Sequence, residues 1–260
     1  GQNMLTNIIM YNDKDPNKLI KFMLILLGAC IAYLIYTKFF YYTTNENFLK
    51  ELLTKTEIKD DLKNMLNDVD KIFQENDLEY WISFGTLLGA VRHNDIIPWD
   101  DDIDLEIMEH DIDKLFSIEH KFKKHGYSLV KFSLGYKIYK TDGEEIKYGV
   151  HGENKYDWKY PFVDLFPMKK DDNKYILSNY MVRLMWPNCF LEKEELYPLK
   201  KYNFGKFKVM GPNNPLPVLN RLYGNNWKTE AIKTYDHRHE VGIQKIRFML
   251  SDMNKIIEKL

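Results

Sequence analysis

The stretch WISFGTLLGAVRHNDIIPWDDDIDL, residues 81–105, decides how the rest of this chain is interpreted. A short strand over residues 79–84 runs into Gly85, and residues 86–92 then read as the start of a helix. The second half is an acidic run followed by alternating Ile and Leu, which is the period of a strand with one buried face. This order of strand, glycine turn, helix and strand predicts a domain of mixed α and β structure.

Two carboxylates in this stretch predict a metal site. Asp102 and Asp104 are two residues apart, so on a strand both side chains project from one face, while Ile103 and Leu105 project from the other. Carboxylates held this close repel one another unless a cation lies between them. Mg²⁺ in proteins is commonly bound by one or two carboxylates together with phosphate oxygens. The alternative is an acidic surface loop over residues 100–104, and the alternating apolar residues fused to the run argue against it.

The glycine turn before the helix predicts an anion site. A glycine lets backbone amides approach a phosphate, and the N-terminus of a helix favours negative charge, so Gly85 and Thr86 are candidate phosphate-binding residues. Turns of this kind are common, so the signal is weak by itself. Arg92 at the far end of the same helix either reaches a phosphate or pairs with Asp95.

A third carboxylate lies in the sequence FVDLF, residues 162–166, which reads as a buried strand stopped by Pro167. Asp164 stands there among four apolar residues, and an unpaired carboxylate in such a place is strongly unfavourable. It therefore needs a metal, a cation or a network of hydrogen bonds. Asp164 is either a structural residue or a third acidic residue of the site, where it could activate an attacking hydroxyl.

The N-terminal part of the chain predicts a membrane anchor. Residues 22–36, FMLILLGACIAYLIY, contain no charge, and the apolar character extends over 19–42. A helix that spans a membrane needs about 20 such residues. Cleavage sites of the lipoprotein type at 27–30 or of the signal-peptidase type at 30–32 are alternatives, but the apolar run continues past both. We predict an uncleaved signal anchor, with the lysines before the span favouring a type II orientation and a lumenal or extracytoplasmic catalytic domain.

The remaining boundaries follow from composition and periodicity. Residues 1–18 are predicted to be a tail, 19–42 the single transmembrane helix, 43–56 a polar stalk and 57–260 the catalytic domain. Within that domain, helices are predicted at 58–73, 110–124, 216–223 and 242–260 and in part of 176–196, with further strands at 127–130 and 136–141. The fold class is α+β, a small mixed sheet flanked by helices.

Composition excludes several kinds of site. The formal net charge is −1, so no nucleic-acid partner held by broad electrostatics is indicated. Cys30 lies in the apolar run and Cys189 far from it, so the two do not form a disulfide framework or a zinc cluster. Any metal should therefore be held by oxygen ligands.

Taken together, these motifs resemble one known family. The segments GTLLGAVRH, residues 85–93, and IPWDDDID, residues 97–104, resemble the signature of the LicD family, which includes phosphocholine transferases and resembles fukutin and fukutin-related protein. The segment FVDLFP, residues 162–167, is similar to a second family motif. A third resemblance is the C-terminal pattern formed by Gly211, Pro212, Leu219, Tyr223, Gly224 and Trp227. The resemblance covers roughly residues 55–235, and no counterpart of the cysteine-ligated zinc site of the fukutin-related branch is present.

The resemblance implies a nucleotidyltransferase-like fold and a specific chemistry. Asp102, Asp104 and Asp164 would be the catalytic and metal-binding carboxylates for Mg²⁺ or Mn²⁺, and Gly85, Thr86 and Arg92 would lie at the donor phosphates. The implied reaction moves a phosphorylated alcohol, of the phosphocholine or alditol phosphate type, from a CDP-activated donor to the hydroxyl of a glycan or glycoconjugate. Further candidates for substrate contacts are Tyr136, Lys137, Tyr139, Lys140, His151 and Trp158.

Two alternative functions stay open at this stage. One is a glycosyltransferase that uses an Asp-x-Asp metal site and a nucleotide sugar. The other is a non-catalytic, membrane-anchored glycan-binding module. The complete set of three aspartates argues against the second, because a degenerate site should have lost at least one of them.

Overall fold

The structure of the chain, a computed structural model, describes residues 16–39 and 42–260. The chain divides into two compact units, Gly1–Thr43 and Thr44–Leu260.

Within the described part of the first unit, residues 16–39 form helix α1 (Pro16–Phe39), and its side chains at 20–33 are exposed. Among the residues that the structure describes, no helix combines the length and the apolar character needed to cross a membrane. The transmembrane helix predicted over 19–42 is therefore not confirmed, and residues 40–41 of that span lie outside the described residues.

The second unit is built from helices and three sheets. Its helices are α2 (Glu46–Glu51), α3 (Thr56–Glu75), α4 (Phe84–His93), α5 (Ile112–Ser117), α6 (Glu119–Lys124), α7 (Tyr180–Met185), α8 (Lys193–Leu196), α9 (Leu216–Tyr223) and α10 (Leu250–Ile257), with a 3₁₀ turn at Glu109–Asp111. Its strands are β1 (Tyr80–Ile82), β2 (Ile103–Met108), β3 (Tyr127–Lys131), β4 (Tyr136–Tyr148), β5 (Asn154–Asp171), β6 (Lys174–Leu177), β7 (Phe190–Glu192), β8 (Lys200–Phe204), β9 (Phe207–Gly211), β10 (Glu230–Asp236) and β11 (Val241–Met249).

The main sheet has seven strands in the order β1-β2-β5-β4-β3, and β6 and β7 continue from the far end of β5. Strands β2 and β5 run parallel, and the other neighbours in this sheet run antiparallel. Strands β8–β9 and β10–β11 form two separate antiparallel ribbons. The predicted α+β class, with a mixed sheet and flanking helices, is confirmed.

Helix α3 forms where the sequence places apolar residues at helical spacing. Its buried residues include Leu62, Leu66, Val69 and Phe73, which belong to the same apolar cluster as Ile103, Leu105 and Ile107 of β2. Complete burial of a leucine or phenylalanine side chain contributes about 1.5–3 kcal/mol. The alternation along β2 thus directs its isoleucines and leucine into this core and leaves Asp104 and Glu106 on the opposite face.

Two predicted boundaries differ in the structure. The polar segment 43–56, predicted as a stalk, contains α2, because Leu49 of that helix is buried in the core of the second unit.

Strand β5 does not stop at Pro167. Pairing of β5 with β4 ends at Leu165 and pairing with β6 begins at Met168, so position 167 lies between these two ladders, and its carbonyl accepts a hydrogen bond from the Ser178 amide (2.8 Å).

The helix predicted over 242–260 is wrong in its first half. Residues 241–249 form β11, which pairs with β10 from Glu230 to Asp236, and only Leu250–Ile257 is helical. Residues 241–249 form a strand because they pair with β10, and a periodicity pattern within 242–260 contains no information about that partner. This hairpin brings residues to the candidate site that the sequence did not indicate.

Candidate active site

Three carboxylates predicted from separate motifs come together on one face of the sheet. Strands β2 and β5 pair in parallel with Asp104 opposite Asp164, and Asp102 immediately precedes β2. Carboxylate oxygens of Asp102, Asp104 and Asp164 lie within 4.8 Å of one another. The three residues are only 3%, 9% and 6% exposed. The fold therefore concentrates negative charge in a place where water screens it poorly.

The electrostatics of this cluster follow from burial. Burial raises the pKa of Asp102 and of Asp104 well above the usual range, and the neighbouring carboxylates raise both pKa values further. Burial also raises the pKa of Asp164, although the ammonium of Lys137 opposes this effect. The pKa of Asp100, beside the cluster, is raised to about 6 by burial and by the charge of Asp101. Ionised carboxylates in this arrangement are disfavoured unless additional positive charge is present.

These residues fit a divalent cation. The donors are oxygens, they converge, and positive charge held among them would remove the repulsion that raises their pKa values. A second group, formed by Asp100, Asp101, Asp102 and His237, also has its potential ligand atoms within 4.8 Å of one another and shares Asp102 with the first. The acidic cluster can thus bind a metal.

The Gly85–Thr86 turn holds Asp104 in place. The Gly85 amide donates a hydrogen bond to Asp104 Oδ2 (3.0 Å), and the Thr86 hydroxyl accepts one from the Asp104 amide (2.8 Å). Thr86 is buried, so its hydroxyl is directed at the protein backbone. The sequence predicted that both residues contact donor phosphates. The contacts described here are with Asp104, and they fix its carboxylate at the N-terminal end of α4.

Gly85 lies where any side chain would crowd the carboxylates. A Cβ atom at this position would lie 2.6 Å from Asp100 Oδ2 and 3.4 Å from Asp104 Oδ2. We expect Gly85→Ala to displace the carboxylates and lower catalytic turnover by about tenfold or more, with little change in thermal stability because alanine favours the helix. Gly242→Ala is the matched control, since a Cβ atom there has nothing within 4 Å. Equal turnover of the two variants would show that close packing at Gly85 does not position the acids.

Arg92 connects the helix to the C-terminal region. Its guanidinium donates hydrogen bonds to the carbonyl oxygens of Trp227 (2.7 Å) and Glu230 (3.5 Å), the latter at the start of β10. The alternative pairing with Asp95 is wrong, because the Asp95 carboxylate faces Lys63 at 3.5 Å. Burial lowers the pKa of Arg92 to about 10. The side chain lines the cavity described below, and a contact with donor phosphates stays a prediction.

His93 provides a prediction about pH. Its Nε2 accepts a hydrogen bond from Arg92 Nε (2.9 Å), and burial together with the Arg92 charge lowers the pKa of His93 to about 4. An unfolded chain protonates this histidine near pH 6.5, so stability should fall as the pH drops from about 6.5 to about 4. His93→Gln keeps an acceptor and cannot titrate, so its free energy of unfolding should fall less than that of the wild type across this window. Urea unfolding at both ends of the window measures this difference, and parallel losses in the two proteins would contradict it.

Two residues that the sequence analysis missed come from the turn between β10 and β11. Nδ1 of His237 lies 3.0 Å from Asp101 Oδ1, and its Nε2 lies 3.2 Å from Asp102 Oδ2. Glu240 Oε1 lies 3.1 Å from Lys137 Nζ and accepts a hydrogen bond from Trp158 Nε1 (2.8 Å). The polar run 236–240 was given no element in the sequence analysis, and the segment after it was predicted to be a helix, so neither residue was indicated.

Lys137 pairs with one of the three carboxylates of the site, that of Asp164. Its Nζ atom is 2.8 Å from Asp164 Oδ1 and 3.0 Å from Asp164 Oδ2, and the residue is only 2% exposed. The same atom lies 3.5 Å from the ring centroid of Phe162, 4.6 Å from that of Phe132 and 5.2 Å from that of Trp158. Of the six further candidates, Lys137 thus contacts the acidic cluster and Trp158 contacts Lys137 and Glu240, and a substrate contact stays a prediction for both.

The other four candidates have partners outside the acidic cluster. Lys140 Nζ pairs with Asp61 Oδ2 at 2.9 Å, and His151 lies in an exposed turn where its amide donates to Glu153 Oε2 (2.8 Å). Tyr136 packs edge-on against Phe116, with ring centroids 5.4 Å apart. Tyr139 lies opposite Phe162 in the sheet. A substrate contact stays a prediction for these four residues.

A cavity of ≈ 550 Å³ opens in front of the three carboxylates. One side of it is charged and includes Lys137, His237 and Glu240. Another side is aromatic and is formed by Phe84, Phe166 and Trp186. The cavity therefore joins a polar, metal-competent wall to an apolar one.

Comparison with known proteins agrees with this architecture. Residues 77–214, more than half of the chain, match the family model for the LicD/FKTN/FKRP nucleotidyltransferase domain. An uncharacterized protein of Rickettsia prowazekii (strain Madrid E) is 35% identical over 216 residues, which cover 82% of this chain and 73% of that protein.

Two relatives with named activities match over shorter segments. The ribitol 5-phosphate transferase FKRP of Homo sapiens is 57% identical over 35 residues, or 14% of this chain and 7% of that protein. The lipopolysaccharide cholinephosphotransferase LicD of Haemophilus influenzae is 43% identical over 42 residues, or 16% of each chain. On the extent of the family match, this chain belongs to the LicD/FKTN/FKRP family.

Proposed function

We propose that this chain is a metal-dependent transferase that moves a phosphorylated alcohol from a CDP-activated donor to a glycan hydroxyl. The observation that supports the proposal most is the convergence of three buried carboxylates, Asp102, Asp104 and Asp164, on one wall of the cavity. The names of two relatives describe the same reaction class, with ribitol phosphate and choline phosphate as the transferred groups. The transferred group in this chain is of the phosphocholine or alditol phosphate type.

The reaction exchanges one bond at phosphorus for another. The acceptor hydroxyl oxygen bonds to the donor phosphorus nearest the transferred alcohol, in line with the leaving group. The bond from that phosphorus to the bridging oxygen breaks, and CMP leaves with the electron pair. The hydroxyl proton passes to a carboxylate oxygen of Asp164, which acts as the general base.

Residues of this chain would hold the reactants in position. Asp102, Asp104 and Asp164 would bind Mg²⁺ or Mn²⁺, which when bound supplies positive charge to the donor phosphates. The Gly85 amide and the Thr86 hydroxyl orient the carboxylate and backbone of Asp104. Lys137 contacts both oxygens of Asp164 and so fixes the direction in which that carboxylate accepts a proton.

The experiment is an assay of the full chain with Mn²⁺ or Mg²⁺ against a panel of CDP-alcohols and nucleotide sugars, including CDP-choline and CDP-ribitol. We expect CMP release from one CDP-alcohol, and loss of that release on addition of a chelator or in Asp102→Ala. Release of UDP or GDP from a nucleotide sugar would instead establish a glycosyltransferase. A folded chain that binds no nucleotide and releases none would overturn the proposal in favour of a glycan-binding module.

A further inference from the structure

Phe84 adopts a backbone conformation that its side chain disfavours. Its φ angle is 38°, in the left-handed region, where a β-carbon crowds the backbone and glycine is preferred. The residue lies between the strand end at Ser83 and the turn residue Gly85, at the first position of α4. Strain of this kind concentrates at functional sites, where the surrounding structure holds the side chain in a required place. The presence of a phenylalanine, and not a glycine, at this position therefore requires an explanation.

The ring belongs to a packed aromatic cluster, formed by Phe84, Phe166 and Trp186. Ring centroids are 5.2 Å apart for Phe84 and Phe166, 5.3 Å for Phe84 and Trp186, and 5.9 Å for Phe166 and Trp186. These are distances between rings in direct contact. Because the three rings pack directly on one another, the cluster offers its outer surface to the cavity. Phe166 is 4% exposed and backs the other two rings, which are partly exposed.

The aromatic cluster adjoins the acids on both strands. Phe84 is bonded to Gly85, whose amide contacts Asp104. Phe166 follows Asp164 by two residues on β5, so it lies on the same face of the sheet, about 6–7 Å further along the strand. A ligand with phosphates at the acids would therefore have its next group against these rings. All three residues line the same cavity as the carboxylates.

Several other aromatic rings near the acids face charged or polar groups of the protein. Trp99 lies 5.6 Å from the Arg92 guanidinium, Trp227 lies 5.2 Å from the Lys228 ammonium, and Tyr235 lies 4.8 Å from the His237 ring. Phe132, Trp158 and Phe162 surround the Lys137 ammonium, so their faces are directed at a cation of the protein itself. The rings of Phe84, Phe166 and Trp186 contact one another and line the open cavity with apolar surface. An uncharged planar ring is the ligand chemistry that such a surface suits, because aromatic stacking tolerates any flat heterocycle.

We propose that this aromatic cluster is the platform on which the nucleobase of the donor stacks. The inference rests on the proposed function in that it takes the donor to be a nucleotide. Phe84 and Trp186 supply the stacking surface, and Phe166 keeps the two rings in position. The position of Phe84 next to Gly85 couples base binding to the placement of the donor phosphates beside Asp104.

The test uses the full chain with Mn²⁺ and measures binding of CMP by calorimetry, with inorganic pyrophosphate as a ligand that lacks a base. Phe84→Leu and Trp186→Leu keep apolar volume and remove the stacking ring. We expect each to weaken CMP binding by about tenfold, the range of one stacked base, and to leave pyrophosphate binding unchanged. In the transfer assay each variant should raise the KM for the donor and leave kcat near the wild-type value.

Phe84→Gly separates stacking from folding. Glycine accepts the positive φ without strain, and this relief offsets part of the packing that is lost with the ring, so the variant should remain folded while binding CMP about tenfold more weakly. Variants that bind CMP as tightly as the wild type, or that raise only the KM of the acceptor, would overturn the platform and assign the rings to the acceptor. A wild-type chain that binds pyrophosphate and no nucleotide would instead overturn the proposed nucleotide donor.

Discussion

Asp102→Asn should strongly reduce transfer and at the same time raise the stability of the metal-free protein. Burial and the charges of Asp100 and Asp164 raise the pKa of Asp102 well above its usual range, which means that the folded state disfavours the ionised carboxylate. A neutral side chain of the same shape removes this penalty at neutral pH. We expect a gain of about 1 kcal/mol in the free energy of unfolding and a loss of about 10³-fold in turnover.

Asp101→Asn is the matched control, because the pKa of Asp101 is lowered whereas that of Asp102 is raised. Burial raises the pKa of Asp101, but the hydrogen bond and charge of His237, the charge of Lys233 and the Arg238 amide together outweigh burial and hold the pKa below its usual range. Its Oδ2 atom also accepts hydrogen bonds from the amides of His237 (3.0 Å) and Arg238 (3.3 Å). Asp101→Asn should therefore lower stability, whereas Asp102→Asn raises it.

Urea unfolding in the presence of a chelator measures both changes. If Asp101→Asn and Asp102→Asn both lose stability, the ionised Asp102 carboxylate is stabilised by its own partners, and repulsion among the carboxylates does not destabilise the folded state. Addition of Mn²⁺ should then stabilise the wild type more than Asp102→Asn, because a ligand that binds only the folded state stabilises it by mass action.

The sequence was most informative where the deciding interaction is local. Asp102 and Asp104 share a face because residues two apart on a strand always do, and this needs no knowledge of the rest of the chain. That Asp164 meets them depends on the parallel pairing of β2 with β5. The motif resemblance implied that Asp164 belongs with the pair, but neither it nor periodicity indicated this strand pairing. Gly85 and Thr86 were identified as site residues, but their partner is Asp104, since only the fold shows which acceptor lies in front of an amide.

The contribution of the C-terminal hairpin could not be predicted in the same way. Residues 241–249 carry a short mixed pattern that suits a helix or a strand, and the choice was made by pairing with β10. His237 and Glu240 reach the site only because of that pairing. Both lie beyond the part of the chain that matches the family model, residues 77–214, so neither local pattern nor the family motifs indicated them.

Lys137→Met should be the most destabilising single change in the site. The Lys137 ammonium is ion-paired with Asp164 (2.8 Å) and Glu240 (3.1 Å), and its side chain is only 2% exposed. Removing one partner of a buried ion pair leaves the other charge desolvated, which costs about 3–5 kcal/mol. Here two carboxylates are left behind, so the loss should lie at the upper end of that range.

Lys140→Met, on the same strand, is the control for loss of a lysine. Lys140 Nζ also lies 2.9 Å from a carboxylate, that of Asp61, but the two side chains are 30% and 38% exposed. A pair of this exposure contributes about 0–1 kcal/mol. Chemical denaturation should therefore separate the two variants by several kcal/mol, and equal losses would mean that burial does not strengthen the Lys137 pair.

A second substitution identifies which of the two carboxylates left without Lys137, that of Asp164 or that of Glu240, causes the loss of stability. Glu240→Gln in the Lys137→Met background removes one of the two carboxylates and keeps an oxygen for the Trp158 indole, so it should restore part of the stability. Asp164 remains, and Mn²⁺ should stabilise the double variant further by supplying positive charge to that carboxylate. If Glu240→Gln destabilises both backgrounds by the same amount, Glu240 acts through its contacts with Trp158 and Tyr235, and the lysine balances Asp164 alone.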